Sequence, residues 1–135
     1  MPKFFRQKNN GYMILIGILV VGAIGIAITV SLLLLGLGTS KTSFAVEQSY
    51  QARALANECA EEALQHIREL TSFTGNDTLS FERGSCSYAV TSQGGENRTI
   101  EASGNVGSIV RKVKITLVDI NPSIQITSWQ ELADF

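Results

Sequence analysis

His66 is the only histidine, and Glu62 stands four positions before it. On a helix that spacing makes an ordinary exposed ion pair. Hydrolysis through His66 would need a serine and an orienting acid brought to it, and the sequence has no Gly-x-Ser-x-Gly elbow to present the serine. Glu58, Glu61 and Glu62 could be imagined as an acid–base pair, but Glu58 and Glu62 are one turn apart and read as a solvated helix face. Cys59, Cys86 and His66 do not supply a metal-ligand spacing. Gly94-Gly95 and Gly104-x-x-Gly107 lack the strand-to-helix setting of a phosphate loop and read as turns. Arg111, Lys112 and Lys114 form a short basic strip of the kind that protects strand edges, so DNA is a poorly supported partner. Two Asn-x-Thr triplets, at Asn76 and Asn97, carry no meaning without a glycosylating host. The expectation is a chain with no catalytic residue, no cofactor and no metal, and hence no enzyme.

The elements that would position these residues are better marked. The chain has 135 residues, 44% hydrophobic and 17% charged, enough for one small domain and too apolar for disorder. Its net charge is -1, but Lys3, Arg6 and Lys8 stand in the first eight residues with no acid beside them. From there to Lys41 the only ionisable side chain is the phenol of Tyr12, and residues 12–38 read YMILIGILVVGAIGIAITVSLLLLGLG. A helix of these 27 residues reaches about 40 Å, more than the roughly 30 Å hydrocarbon layer of a bilayer. The basic start predicts a cytoplasmic N-terminus with the rest of the chain outside. A cleaved secretory signal is the competing reading. Its apolar core is usually about 7 to 15 residues and ends in a small-x-small site, which this run lacks. Five glycines, at 17, 22, 25, 36 and 38, interrupt the run without forming a strict Gly-x-x-x-Gly.

From Lys41 to Leu70 there is neither Gly nor Pro, and Ala, Glu, Gln and Leu are abundant, so the helix is expected to continue out of the membrane. Ala52, Ala56, Cys59, Ala63, Ile67 and Leu70 fall on one stripe, with Ala60 and Leu64 at its edge and charged residues elsewhere. Thr71 to Asp77 reads as a stop and turn, after which the period changes to two. Cys86 to Thr91 and Thr99 to Ser103 read as a hairpin about the Gln93–Asn97 turn. Residues 108–119 give a longer strand that turns Ile109, Val113, Ile115 and Leu117 to one face, and Pro122 ends it. Ile124, Ile126 and Trp129 mark a short last strand. The predicted fold is α+β: a long N-terminal transmembrane helix continuing into an amphipathic helix, packed on an antiparallel sheet of about four strands. The corresponding divisions are a basic cytoplasmic leader over 1–11, a membrane helix over 12–38, an extracytoplasmic helix over 39–70 and a β domain over 71–135.

Cys59 lies on the apolar stripe and Cys86 at the inward-facing start of a strand, both on the expected outer side. A disulfide would staple helix to sheet, worth at most about 3.5 kcal/mol for a loop of 27 positions. Two free buried thiols are the alternative.

Taken together, the basic leader, Gly11, the apolar helix, its Ala-rich continuation and a small β domain with two cysteines resemble the type IV pilin superfamily along the whole chain. The resemblance implies that a prepilin peptidase cuts after Gly11 and that Tyr12, where the family commonly has Phe, becomes the N-methylated terminus. Lys3, Arg6, Lys8, Asn9 and Asn10 match the charged leader, and Met13, Ile14 and Leu15 the start of the helix. The family's major subunits carry Glu at the fifth position after the cut, whereas this chain has Ile16, a departure associated with minor pilins and tip pseudopilins. The implied function is a structural subunit of a pilus-like filament or secretion pseudopilus. Its implied partners are the membrane, other pilin subunits, the peptidase and an inner-membrane assembly machinery. The alternative is a single-pass anchored module that binds or senses a ligand outside the membrane.

Overall fold

The computed structural model describes residues 8–134, with side chains from Gly11 onward. Lys3, Arg6 and the side chains of Lys8, Asn9 and Asn10 in the leader lie outside the described residues. One helix, α1 (Lys8–Glu69), precedes five strands: β1 (Gly75–Phe81), β2 (Gly84–Gly94), β3 (Asn97–Val106), β4 (Ile109–Asp119) and β5 (Gln125–Leu132). The sheet is an antiparallel meander in the order β1-β2-β3-β4-β5. The chain divides into two compact units, one ending at Ser43 and the other starting at Phe44.

The first unit is helical, and every side chain from Gly11 to Ser43 is exposed. Four of its hydroxyls close on the helix itself. Thr29, Ser31, Thr39 and Thr42 each donate to the carbonyl four residues back, at 2.8, 2.8, 3.0 and 3.0 Å. Closing polar groups internally in this way is what a helix surrounded by hydrocarbon requires. This helix is long and apolar enough to cross a membrane.

The second unit is built on the stripe. Ala52, Ala56, Cys59, Ala60, Ala63 and Ile67 are fully buried, and Leu64 is nearly so. They lie against Tyr88 and Val90 of β2, Ile100 and Ala102 of β3, and Val113, Ile115 and Leu117 of β4, with Ile120 just beyond. Burying an aliphatic side chain of this kind contributes about 1.5–3 kcal/mol, and the alanines let the backbones approach. The closest approach is at Gly104 in β3, where a Cβ would stand 2.0 Å from the Ala52 carbonyl oxygen and 2.6 Å from the Ala56 nitrogen.

Four details differ from the sequence reading, the first being that Gly104, read as part of a turn, lies within β3 and only Gly107 is in the turn that follows. The sheet has five strands because Gly75, Asn76 and Asp77 open a strand instead of completing a turn. Gly75 makes the switch at φ +154°, a backbone conformation closed to most other residues. Leu70 is exposed, not part of the stripe, because α1 ends at Glu69 and the Leu70 N–H makes the last bond back, to the His66 carbonyl at 2.9 Å. Ile124 precedes the last strand, which runs to Leu132 and is longer than Ile124, Ile126 and Trp129 alone indicate.

Candidate functional site

The peptide bond after Gly11 lies within α1, three residues after Lys8, the first described residue. Glycine is among the weakest helix formers, so Gly11 lowers the cost of opening the helix at this position. Gly11 and Tyr12 are both exposed, and no atom would meet a Cβ at Gly11. Large apolar side chains on every face of the following helix are open, from Tyr12 at 66% to Leu37 at 61%. Ile16, at the fifth position after the expected cut, is one of this apolar set.

In the second unit Cys59 and Cys86 are joined, with 5.9 Å between their Cα atoms, and both are buried. The bond ties α1 to β2 as the pattern of the two cysteines suggested. Cys86 pairs with Leu79 of β1 and with Gly104 of β3, so the tie reaches the middle of the sheet.

Several titratable residues make close contacts within the second unit. His66 Nε2 lies 3.4 Å from Glu62 Oε1, and its ring stacks on Phe73 at 5.1 Å between centroids. Burial pushes the Tyr88 phenol up, and the carboxylates of Asp77 and Glu62 add to the shift. Glu58 and Glu61 are exposed on the helix face. Among the described residues no group of three His, Cys, Asp or Glu side chains is placed to hold a metal ion. The basic strip is matched by acids: Arg111 meets Glu131 at 3.2 Å, Lys112 meets Asp134, and Lys114 meets Glu101 at 3.4 Å.

Two residues that no spacing or motif singled out hold the loops. Arg98, considered only as the middle of an Asn-x-Thr triplet, is 5% exposed. Its guanidinium donates to the carbonyls of Gly95 and Asn97 at 2.7 and 2.9 Å, to the Ser92 hydroxyl at 3.2 Å, and to the Thr71 carbonyl beyond α1 at 2.9 Å. Glu96, in the β2–β3 turn, accepts the backbone N–H groups of Ile120 and Asn121 at 2.8 and 3.1 Å. Those two bonds hold its carboxyl below the usual range, with a smaller contribution from Arg98. Both residues stand beside Gly94-Gly95, so the glycines serve a turn whose role is anchorage.

No protein-family model, characterised protein or solved structure matches this chain. The fold has a pilin-like arrangement of a long N-terminal helix with an antiparallel sheet, and function must be argued from the residues themselves.

Proposed function

We propose that this chain is a structural subunit of a type IV pilus-like filament or secretion pseudopilus, held in the membrane by α1 until it assembles. The observation that carries this reading is that the exposed apolar surface of α1 covers all faces of the helix from Tyr12 to Leu37. A surface of that kind is satisfied by lipid or by other helices and not by water. Before assembly the lipid covers it; in a filament the helices of neighbouring subunits do. Extraction then moves apolar surface from lipid to protein without wetting it, driven by a cytoplasmic motor that is a separate protein.

The same reading assigns the ends of the chain. The basic leader stays in the cytoplasm under the charge rule for membrane helices, and the disulfide-bonded domain lies outside, where an oxidising environment maintains the bond. A prepilin peptidase cuts after Gly11, Tyr12 becomes the methylated N-terminus, and the domain takes its place on the filament at the cell surface. Ile16 in place of an acid favours a minor or tip subunit over the principal one, because an acid there would give each incoming helix a charge to register against. The chain is assigned no catalytic role.

N-terminal sequencing and intact mass of the mature protein from its own cells test this. The expected product begins at methylated Tyr12 and is recovered with sheared surface filaments. A full-length chain confined to membranes would leave only the anchored-module reading.

A further inference from the structure

α1 covers the middle of the sheet and leaves β5 half open: Ile126 is 43% exposed and Trp129 42%, although they pair with the fully buried Leu117 and Ile115. A groove of about 330 Å³ runs there between α1 and β5, lined by Glu61, Leu64, Gln65, Arg68, Ile126 and Trp129. Its floor is apolar and its rim carries opposite charges. Glu61 and Arg68 stand seven residues apart on α1, two turns or about 10 Å. Neither makes an ion pair among the described residues. An aromatic floor inside a polar rim is the anatomy of a contact surface.

Beside this groove the sheet ends. Among the described residues β5 pairs only with β4, and an edge strand is a template for another strand unless Lys, Pro or a bulge blocks it. β5 has neither Lys nor Pro, and the basic strip stands on β4, one strand in from the edge. Its only charge, Glu131, is matched by Arg53 at 3.3 Å and Arg111 at 3.2 Å. The pairing skips Thr127 but is regular over residues 128–132. We propose that an extended segment of a different protein adds to β5 here as a sixth strand, with one apolar side chain on Trp129 between a basic and an acidic one.

The charges fix its direction. Arg68 also borders the 120–124 loop that leads into β5, so it marks the Ile126 end of the groove, and Glu61 marks the Trp129 end. β5 thus runs against α1, and a strand antiparallel to β5 meets Glu61 before Arg68. Alternate side chains share one face, so the sequence that fits is base-x-apolar-x-acid, read from its N-terminus. The base and acid are then about 13 Å apart along the strand, a span that long side chains adjust to the separation on α1. A second copy does not supply this pattern, because β1, the other edge of the sheet, carries Asp77 and no base. Groove and edge both belong to the second unit, so the proposal holds for a filament subunit and for an anchored module alike.

The test uses the full chain in detergent and the synthetic peptide Thr-Lys-Thr-Phe-Thr-Glu-Thr with blocked ends. Trp129 is the only tryptophan, so its emission reports on the groove. Saturable binding with a shift to shorter wavelength is expected. A peptide with Lys and Glu exchanged is expected to bind the wild-type chain about threefold more weakly or worse, and to regain affinity for the chain carrying Glu61→Lys and Arg68→Glu. N-methylation distinguishes strand addition from loose adsorption, because in an antiparallel pair only every second residue turns its N–H to the neighbour. Methylating one alternate set of peptide residues should abolish binding, and methylating the other should leave it. No shift, equal affinity for both charge orders, or equal effects of the two methylated sets would overturn the proposal. A shift that appears on concentrating the chain without peptide would assign the groove to a second copy and overturn it as well.

Discussion

At Gly104 there is no room for a side chain, because the Ala52 carbonyl stands 2.0 Å from where a Cβ would be. That atom belongs to a helix backbone and cannot rotate away. Gly104→Ala is therefore expected to lower stability by about 2 kcal/mol or more, read as a fall in Tm of the full chain in detergent. Glu96 carries a pH dependence of known sign. Its carboxyl is held low by the Ile120 N–H first and the Asn121 N–H second. The stability it contributes is full above the ordinary carboxylate range and is lost as pH falls through the lowered value. Wild type should exceed Glu96→Gln in Tm at about pH 6, with the gap closing as pH falls below the ordinary carboxylate range; a constant gap would remove the charge from the explanation. His66 with Glu62 was legible because a four-residue spacing on a helix is local. Glu96 and Arg98 were not, since their partners Ile120 and Thr71 lie 24 and 27 residues away and become neighbours only once the sheet forms.

The stripe of α1 was legible because small and apolar residues recur at the helical period over about five turns. What the period could not locate was its end: Leu70 continues the spacing but lies past the last helical residue, Glu69. β1 escaped notice for a related reason. It is an edge strand with Leu79 its one half-buried residue, so no alternation of apolar and polar side chains betrays it, and its first three residues are common turn formers. β2 and β4 alternate cleanly because one face is buried against α1. The Cys59–Cys86 bond joins the central elements, α1 and β2. Reduction, or Cys86→Ala, is expected to cost up to about 3.5 kcal/mol, and the two should lower the melting temperature alike. Equal melting with and without reductant would mean that packing alone fixes the helix on the sheet.

For the whole molecule, the sequence separates a helix with no charge over its apolar run from a domain whose acids outnumber its bases, and the structure assigns those to separate compact units. The helix was easy to read because an uninterrupted apolar run has few alternatives. The function was harder, because the proposed leader processing and filament assembly would depend on other proteins. Ile16 gives a prediction at this scale: without an acid at that position, this chain expressed as the sole subunit should yield few filaments or none, and should be incorporated when a principal subunit is supplied. Filaments built abundantly from this chain alone would assign it the principal role. The most direct measurement is the mature N-terminus of the wild-type chain beside that of Gly11→Val, by sequencing and intact mass from native cells. The account predicts methylated Tyr12 at the start of the wild-type protein and an uncut leader in the variant. An uncut leader in both would contradict it.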